Sequence, residues 1–358
     1  MNLRERGGPW SVAEEPALAG YQVEWMDPDG LVLSRRDRLF RTKDPARGAE
    51  PIGAFPAPAW KSGAARLRPL QRLLRFFVTN VLALPDGRTF VSFDRGVGVL
   101  TGGRIHPLEG LARPCRILRS ACAVRDGSLF FGEYLANSER GPMRIYRLPP
   151  DALRVEVVHT FAAGEVRHVH GLYADPYTDS IWCLTGDRGG ECRIMRSEDG
   201  CRTFSTIGAG DESWRAVSLL FTESALYYAT DAEFERNVIY RVERRSGVRD
   251  VLGEVDGPVY YTRSVGGDLF FAVTAELCPS QIGRSATLWR LEEGGRPAPL
   301  VSFEKDRWPA GLFMVGALHM PNGPGAPDHF YLSGVGLGGA DDRTYRVTRS
   351  ARALEGRP

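Results

Sequence analysis

The chain has 358 residues, 43% hydrophobic and 25% charged, with a net charge of +2. That balance excludes a disordered chain and leaves no overall field to attract nucleic acid. The first twenty residues lack an apolar core of signal-peptide length and no run is long enough to span a bilayer, so a cytoplasmic protein is expected.

Along the chain, "PWSVAEE" near the N-terminus reads as a lone strand within a segment over 1–20. From about residue 21 a unit repeats. Its mark is an apolar pair followed by arginine: "LFR" ending at Arg41, "IYR" at Arg147, "IMR" at Arg196, "IYR" at Arg241, "LWR" at Arg290 and "TYR" at Arg346. The double gap before Arg147 holds a degenerate copy, "GVGVLTGGRIHPLEG" at 96–110. Ahead of each mark lies a hairpin such as "VLALPDGRTFVSFD" or "ACAVRDGSLFFGE", with Asp-Gly between alternating apolar runs. Behind it comes an outer strand such as "VEVVHTF" or "APLVSF". Repeats of this length in strand-rich sequence are the signature of propeller blades.

The expectation is therefore an all-β, seven-bladed β-propeller of four-stranded antiparallel blades, here strands A to D. Its blades span about 21–60, 77–113, 114–163, 164–211, 212–257, 258–306 and 307–350, forming one domain over 21–350 with a tail at 351–358. The last blade lacks a D strand, which "PWSVAEE" can supply, so that no sheet edge is left open. Six blades with an irregular N-terminal region is the alternative. Between the first two blades, "AARLRPLQRLLRFF" at 64–77 places Leu67, Leu70, Leu73, Leu74 and Phe77 at helical spacing, with Arg66, Arg68, Arg72 and Arg75 between them. This predicts a helical insertion packed through its leucines with its arginines in solvent, or else a patch for an acidic protein partner or anionic polymer. The six cysteines, Cys115, Cys122, Cys183, Cys192, Cys201 and Cys278, form no Cys-x-x-Cys pair and read as free, mostly buried thiols.

"RSEDGCRTFSTI" at 196–207 resembles the Asp-box of the BNR-repeat, sialidase-like propellers. Ser197, Asp199, Thr203 and Phe204 match in register, while Cys201 stands at the motif's glycine and Gly200 comes one place early. The resemblance implies a propeller and a structural turn between strands C and D. It transfers no catalytic residue.

The chemistry is expected where the start of strand A and the end of strand B share one face of the disc. At the ends of B stand Asp94, Glu133, Asp187, Asp231 and Glu276. At the starts of A stand Thr79 or Asn80, Arg119, His168 with His170, Arg215, and Tyr260 or Tyr261. Three chemistries fit this set. His168 and His170 with Glu133 or Asp187 would ligate a divalent ion such as manganese, zinc or calcium. A histidine base with Tyr134 or Tyr261 as acid, and Arg119 or Arg215 on a substrate carboxylate, suits elimination from a uronic acid. Paired carboxylates, Asp231 among them, would suit a glycosidic bond. Arg263, Glu276 and Asn237 complete the candidate substrate contacts. The reading is a carbohydrate-active enzyme, lyase or hydrolase, acting on a glycan or small polar ligand. Its rival is a non-catalytic propeller that binds a glycan or protein, with the 64–77 helix as a site for a protein partner.

Overall fold

The structure, a computed structural model, describes residues 9–117, 121–291 and 295–350. Arg119 and the tail at 351–358 lie outside the described residues. The chain forms seven four-stranded antiparallel sheets, the blades of a β-propeller. Every repeated arginine lies on strand C of its blade. Several serve the fold there: Arg290 donates to Asp268 at 3.1 Å, and Arg147 donates to Ser128 at 3.0 Å. Such contacts tie strand C to strand B or its turn in blades 3 and 6, whereas Arg241 turns to Asp250 on strand D at 3.3 Å. The lone N-terminal strand, Trp10–Glu14, pairs antiparallel with Thr344–Arg349 as strand D of blade 7.

By proximity in space the backbone divides into two compact units. One comprises Met1–Phe77 and Gly253–Pro358, the other Val78–Leu252. The first has its own core, in which Trp10 meets Phe270 edge-on at 4.9 Å, joined by Leu33, Leu288 and Leu332. The second packs Phe90, Phe131 and Tyr146 in one cluster and Leu172, Ile181 and Met195 in another. All six cysteines are free and five are buried.

One irregularity recurs. Strand A carries a bulge at Glu24 in blade 1, Thr79 in blade 2, His170 in blade 4 and Tyr260 in blade 6. A bulge adds one residue against the partner strand and re-aims its side chain. In each case the bulged residue bonds across its own blade. Thr79 reaches Ser92 at 3.0 Å, Tyr260 donates to Glu276, and Glu24 accepts from Ser34 at 2.5 Å.

The insertion differs from its sequence-based expectation. It is two short helices, α1 at Ala59–Ala64 and α2 at Arg68–Leu73, with Pro69 in the first turn of α2, where its missing N–H costs nothing. Arg66 and Arg75 are exposed as expected, but elsewhere the polarity is inverted. Leu67, Leu70 and Leu73 are exposed, whereas Gln71 and Arg72 are buried. Arg72 pairs with Asp306 and donates through Nε to the Phe313 carbonyl at 2.9 Å, while Arg68 holds Asp341 at 2.8 Å. Two arginines with acidic partners from far along the chain thus decide which face turns inward.

The turn between strands C and D of blade 4 is closed by side-chain hydrogen bonds. Ser197 Oγ donates to Asp199 at 2.9 Å, and the amides of Arg202 and Thr203 donate to the same carboxylate at 3.0 and 2.9 Å. Those bonds, the Thr203 amide first, hold the Asp199 carboxyl down at about 2. Phe204 packs edge-on to His159 at 5.0 Å. Cys201, in the glycine's place, adopts φ 63°, a left-handed conformation that disfavours any side chain.

Candidate metal centre

Blade 4 begins with a strand pinned to its neighbour. The Val169 amide donates to the Glu133 carbonyl at 3.0 Å, and a Cβ on Gly132 would stand only 2.5 Å from Val169. Glycine at 132 therefore permits this close approach. His168 and His170 flank the pinned residue. His168 lies just before the strand Val169–Ala174 and His170 is its bulged residue, so the bulge rather than simple alternation brings both rings to one side. Their centroids are 4.9 Å apart.

Both imidazoles are fixed through Nδ1. His168 Nδ1 lies 3.1 Å from the Leu135 carbonyl, and His170 Nδ1 lies 3.2 Å from that of Ala216. A carbonyl oxygen only accepts, so each Nδ1 carries the proton and each Nε2 is left with its lone pair in the neutral ring. Both Nε2 atoms face Asp187 Oδ1, at 3.7 Å from His168 and 3.3 Å from His170. Burial, and then the neighbouring His170, push the His168 pKa down to about 3. That ring is neutral at ordinary pH, and its buried Nε2 has no hydrogen-bond partner. Three acceptors thus converge, with ligand atoms of His168, His170 and Asp187 all within 4.8 Å of one another. A proton on His170 would satisfy one pair of acceptors. A divalent cation would satisfy all three. Imidazoles whose far nitrogens donate to backbone carbonyls are the outer-shell arrangement of metal-binding histidines.

Charge surrounds this group. Arg167 donates to Asp187 Oδ2 at 2.7 Å, and Arg215 lies 3.6 Å from Oδ1 while donating to Asp231 at 3.1 Å. Burial pushes the Asp187 carboxyl up, but the His170 hydrogen bond and the positive charge nearby, Arg215 included, prevail and hold it well below the usual carboxylate range. Tyr134 lies against His168, with ring centroids 4.1 Å apart.

The candidates from sequence divide accordingly. His168, His170, Asp187, Tyr134, Arg215 and Asp231 come together. Glu133 does not join the ligand group; its fully buried carboxylate receives Tyr146 Oη at 2.8 Å and Arg113 at 2.7 Å, and only its backbone serves the site. Asn237 is buried at the start of strand C of blade 5, where its side chain receives the Ala232 amide at 2.8 Å. In the other unit, Tyr261 packs edge-on to His319 at 5.0 Å, Arg263 donates to the Pro321 carbonyl at 2.6 Å, and Glu276 receives Tyr260. Sequence reasoning missed Arg167, because strict alternation turns it away from its neighbours. It also missed the Leu135 and Ala216 carbonyls, which carry no side-chain signal.

No family model matches the sequence, and no curated protein resembles it in sequence. Solved structures do share its fold. An oligogalacturonate lyase from Vibrio parahaemolyticus is 12% identical with a TM-score of 0.62, over 95% of this chain and 94% of its own. An oligogalacturonate lyase in complex with manganese is 11% identical with a TM-score of 0.60, over 97% and 98%. YCF48 bound to D1 peptide is 13% identical with a TM-score of 0.57, over 96% and 98%. At such identities the likeness concerns the propeller fold alone.

Proposed function

We propose that this chain is a carbohydrate-active lyase that binds a divalent cation, manganese or zinc, through His168, His170 and Asp187, and takes a uronate-bearing glycan beside it. One observation carries the reading: two Nε2 atoms, each with its Nδ1 tied to a carbonyl, point at one carboxylate oxygen. A bound cation would supply positive charge that draws a substrate carboxylate and acidifies the neighbouring C–H. Arg167 and Arg215 would orient that carboxylate, since guanidinium matches its geometry. Tyr134, against His168, is the group placed to relay the proton leaving that carbon to the departing oxygen, so that the C–H and C–O bonds break as the double bond forms. Hydrolysis by paired carboxylates is disfavoured. It requires one carboxyl to stay protonated as the acid. Here Asp187 is held well below the usual range and Arg215 lies against both Asp187 and Asp231.

The burial of both imidazoles, 5% and 3% exposed, favours a second reading in which the cation only fixes blade 4 and the propeller binds its ligand without reacting. One experiment separates the two. Protein purified without chelators is assayed for metal by mass spectrometry and then incubated with polyuronates, following the absorbance of unsaturated ends. One ion per chain and chelator-sensitive product support the lyase. One ion without product supports the binding reading. A metal-free protein whose His170→Ala variant behaves as wild type sinks both.

A further inference from the structure

The inverted helical insertion leaves a face that the proposed lyase chemistry does not use. Trp60 of α1, Leu67, and Leu70 and Leu73 of α2 are exposed by 63, 62, 36 and 42%. Beside α2 lies α3, Ala310–Phe313, held through the bond from Arg72 to Phe313, and it adds exposed Leu312 next to exposed Trp308. Exposed single apolar residues are ordinary, but six large ones on or just beside three short helices are not. Residues 51–85 contain no acidic residue. Arg68 and Arg72 are already paired with Asp341 and Asp306, and Arg66 and Arg75 are the exposed arginines of the insertion.

The face borders a groove lined by Arg35, Arg36, Arg38 and Arg66 together with Ala59 and Ser62. Its one acidic residue, Asp37, already accepts from Ser62 at 3.0 Å. Arg35 and Arg38 stand directly opposite each other across their hairpin, and like charges so placed repel. Arg36 holds a left-handed turn position, φ 59°, where glycine or asparagine is the easier residue. The arrangement costs stability unless an anion neutralises it.

We propose that this face docks on the surface of a bilayer rich in anionic phospholipid. The leucines and tryptophans enter the boundary between headgroups and acyl chains, and the arginine groove receives headgroup phosphates. The charge identifies the occupant. A second copy meeting this face about a twofold axis would set arginines against arginines. A partner helix would need an apolar groove to lie in, whereas here the apolar residues project and the groove is cationic. No helix among the described residues is long and apolar enough to cross a membrane, so the attachment is peripheral.

Flotation of the full chain with phosphatidylcholine vesicles, with and without phosphatidylglycerol, tests this. Binding to the anionic vesicles only, weakened by salt, is the expected result. R36A together with R66A should lower the partition about 25-fold, about fivefold for each cation removed. L67S together with L70S should lower it about tenfold or more. Neither variant should lower the melting temperature, because Arg66, Leu67 and Leu70 are exposed and removing Arg36 relieves crowded positive charge. Failure to float with either vesicle overturns the proposal. So does flotation that neither variant weakens, capture of inorganic phosphate without vesicle binding, or a dimer in solution that L67S dissociates.

Discussion

Blades 1 and 4 use the same backbone device for opposite ends. In blade 1 the bulge on strand A delivers an acid, Glu24, which accepts from Ser34 at 2.5 Å and from Gln22 at 2.9 Å, with His319 Nε2 3.6 Å from its second oxygen. In blade 4 the bulge delivers an imidazole, and the acid, Asp187, follows strand B. In blade 1 a hydroxyl and an amide donate to the carboxylate, whereas in blade 4 Arg167 donates to one oxygen of Asp187 and two imidazole Nε2 atoms face the other. A buried carboxylate met by neutral donors is a structural pair, whereas an oxygen faced by two Nε2 atoms is arranged for a cation. The bulge creates a position, and the residue placed there decides between structure and chemistry.

The sharpest way to break this contrast is to remove a lone pair in blade 4. His170→Ala should weaken cation binding, read by isothermal titration, by more than about 100-fold, since even outer-shell changes cost 10- to 100-fold. Unchanged binding would leave blade 4 no different from blade 1. Glu24→Ala should do the reverse, leaving cation binding intact while lowering unfolding stability by about 2–3 kcal/mol in urea titration, because it strands buried partners. A milder probe is Asp231→Asn, which loosens Arg215. We expect weakening by about tenfold in cation affinity, with stability changed by less than about 1 kcal/mol. Smallest is a control that touches neither site. The Asp199 carboxyl titrates at about 2 in the fold against 3.8 in the open chain. A depressed folded pKa means its contribution is whole above 3.8 and fades as pH falls towards 2. Wild type and Asp199→Asn should therefore differ in melting temperature at neutral pH and converge in strong acid, with cation binding at neutral pH equal in both.

The propeller was legible because its signals are local and repeated: Asp-Gly turns between alternating runs, and an arginine at one point of each unit. The pair His168 and His170 was legible with Asp187 because residues near strand ends can be placed by counting along the repeat. The same counting failed for Glu133, since its strand end turns the side chain inward to Tyr146 and Arg113. Glu24 and Arg167 were invisible because a bulge shifts the period of two on which the counting depends. The polarity of α2 was misread for a different physical reason. Leucines at helical spacing normally mark the buried face, but the ion pairs of Arg72 with Asp306 and Arg68 with Asp341 span most of the sequence, and no local pattern announces them.

The pairing of Trp10–Glu14 with Thr344–Arg349 has a consequence for how the protein is made. On the ribosome the first of these strands emerges about 330 residues ahead of its mate. Blade 7 therefore stays incomplete until the mate has emerged, and in that interval the early strand presents an unpaired edge to the crowded cell. Closing the last sheet is a long-range event, slow for its topology. Cellular yield should depend on chaperones that shield that edge in the interval, more than on the stability of the finished blades.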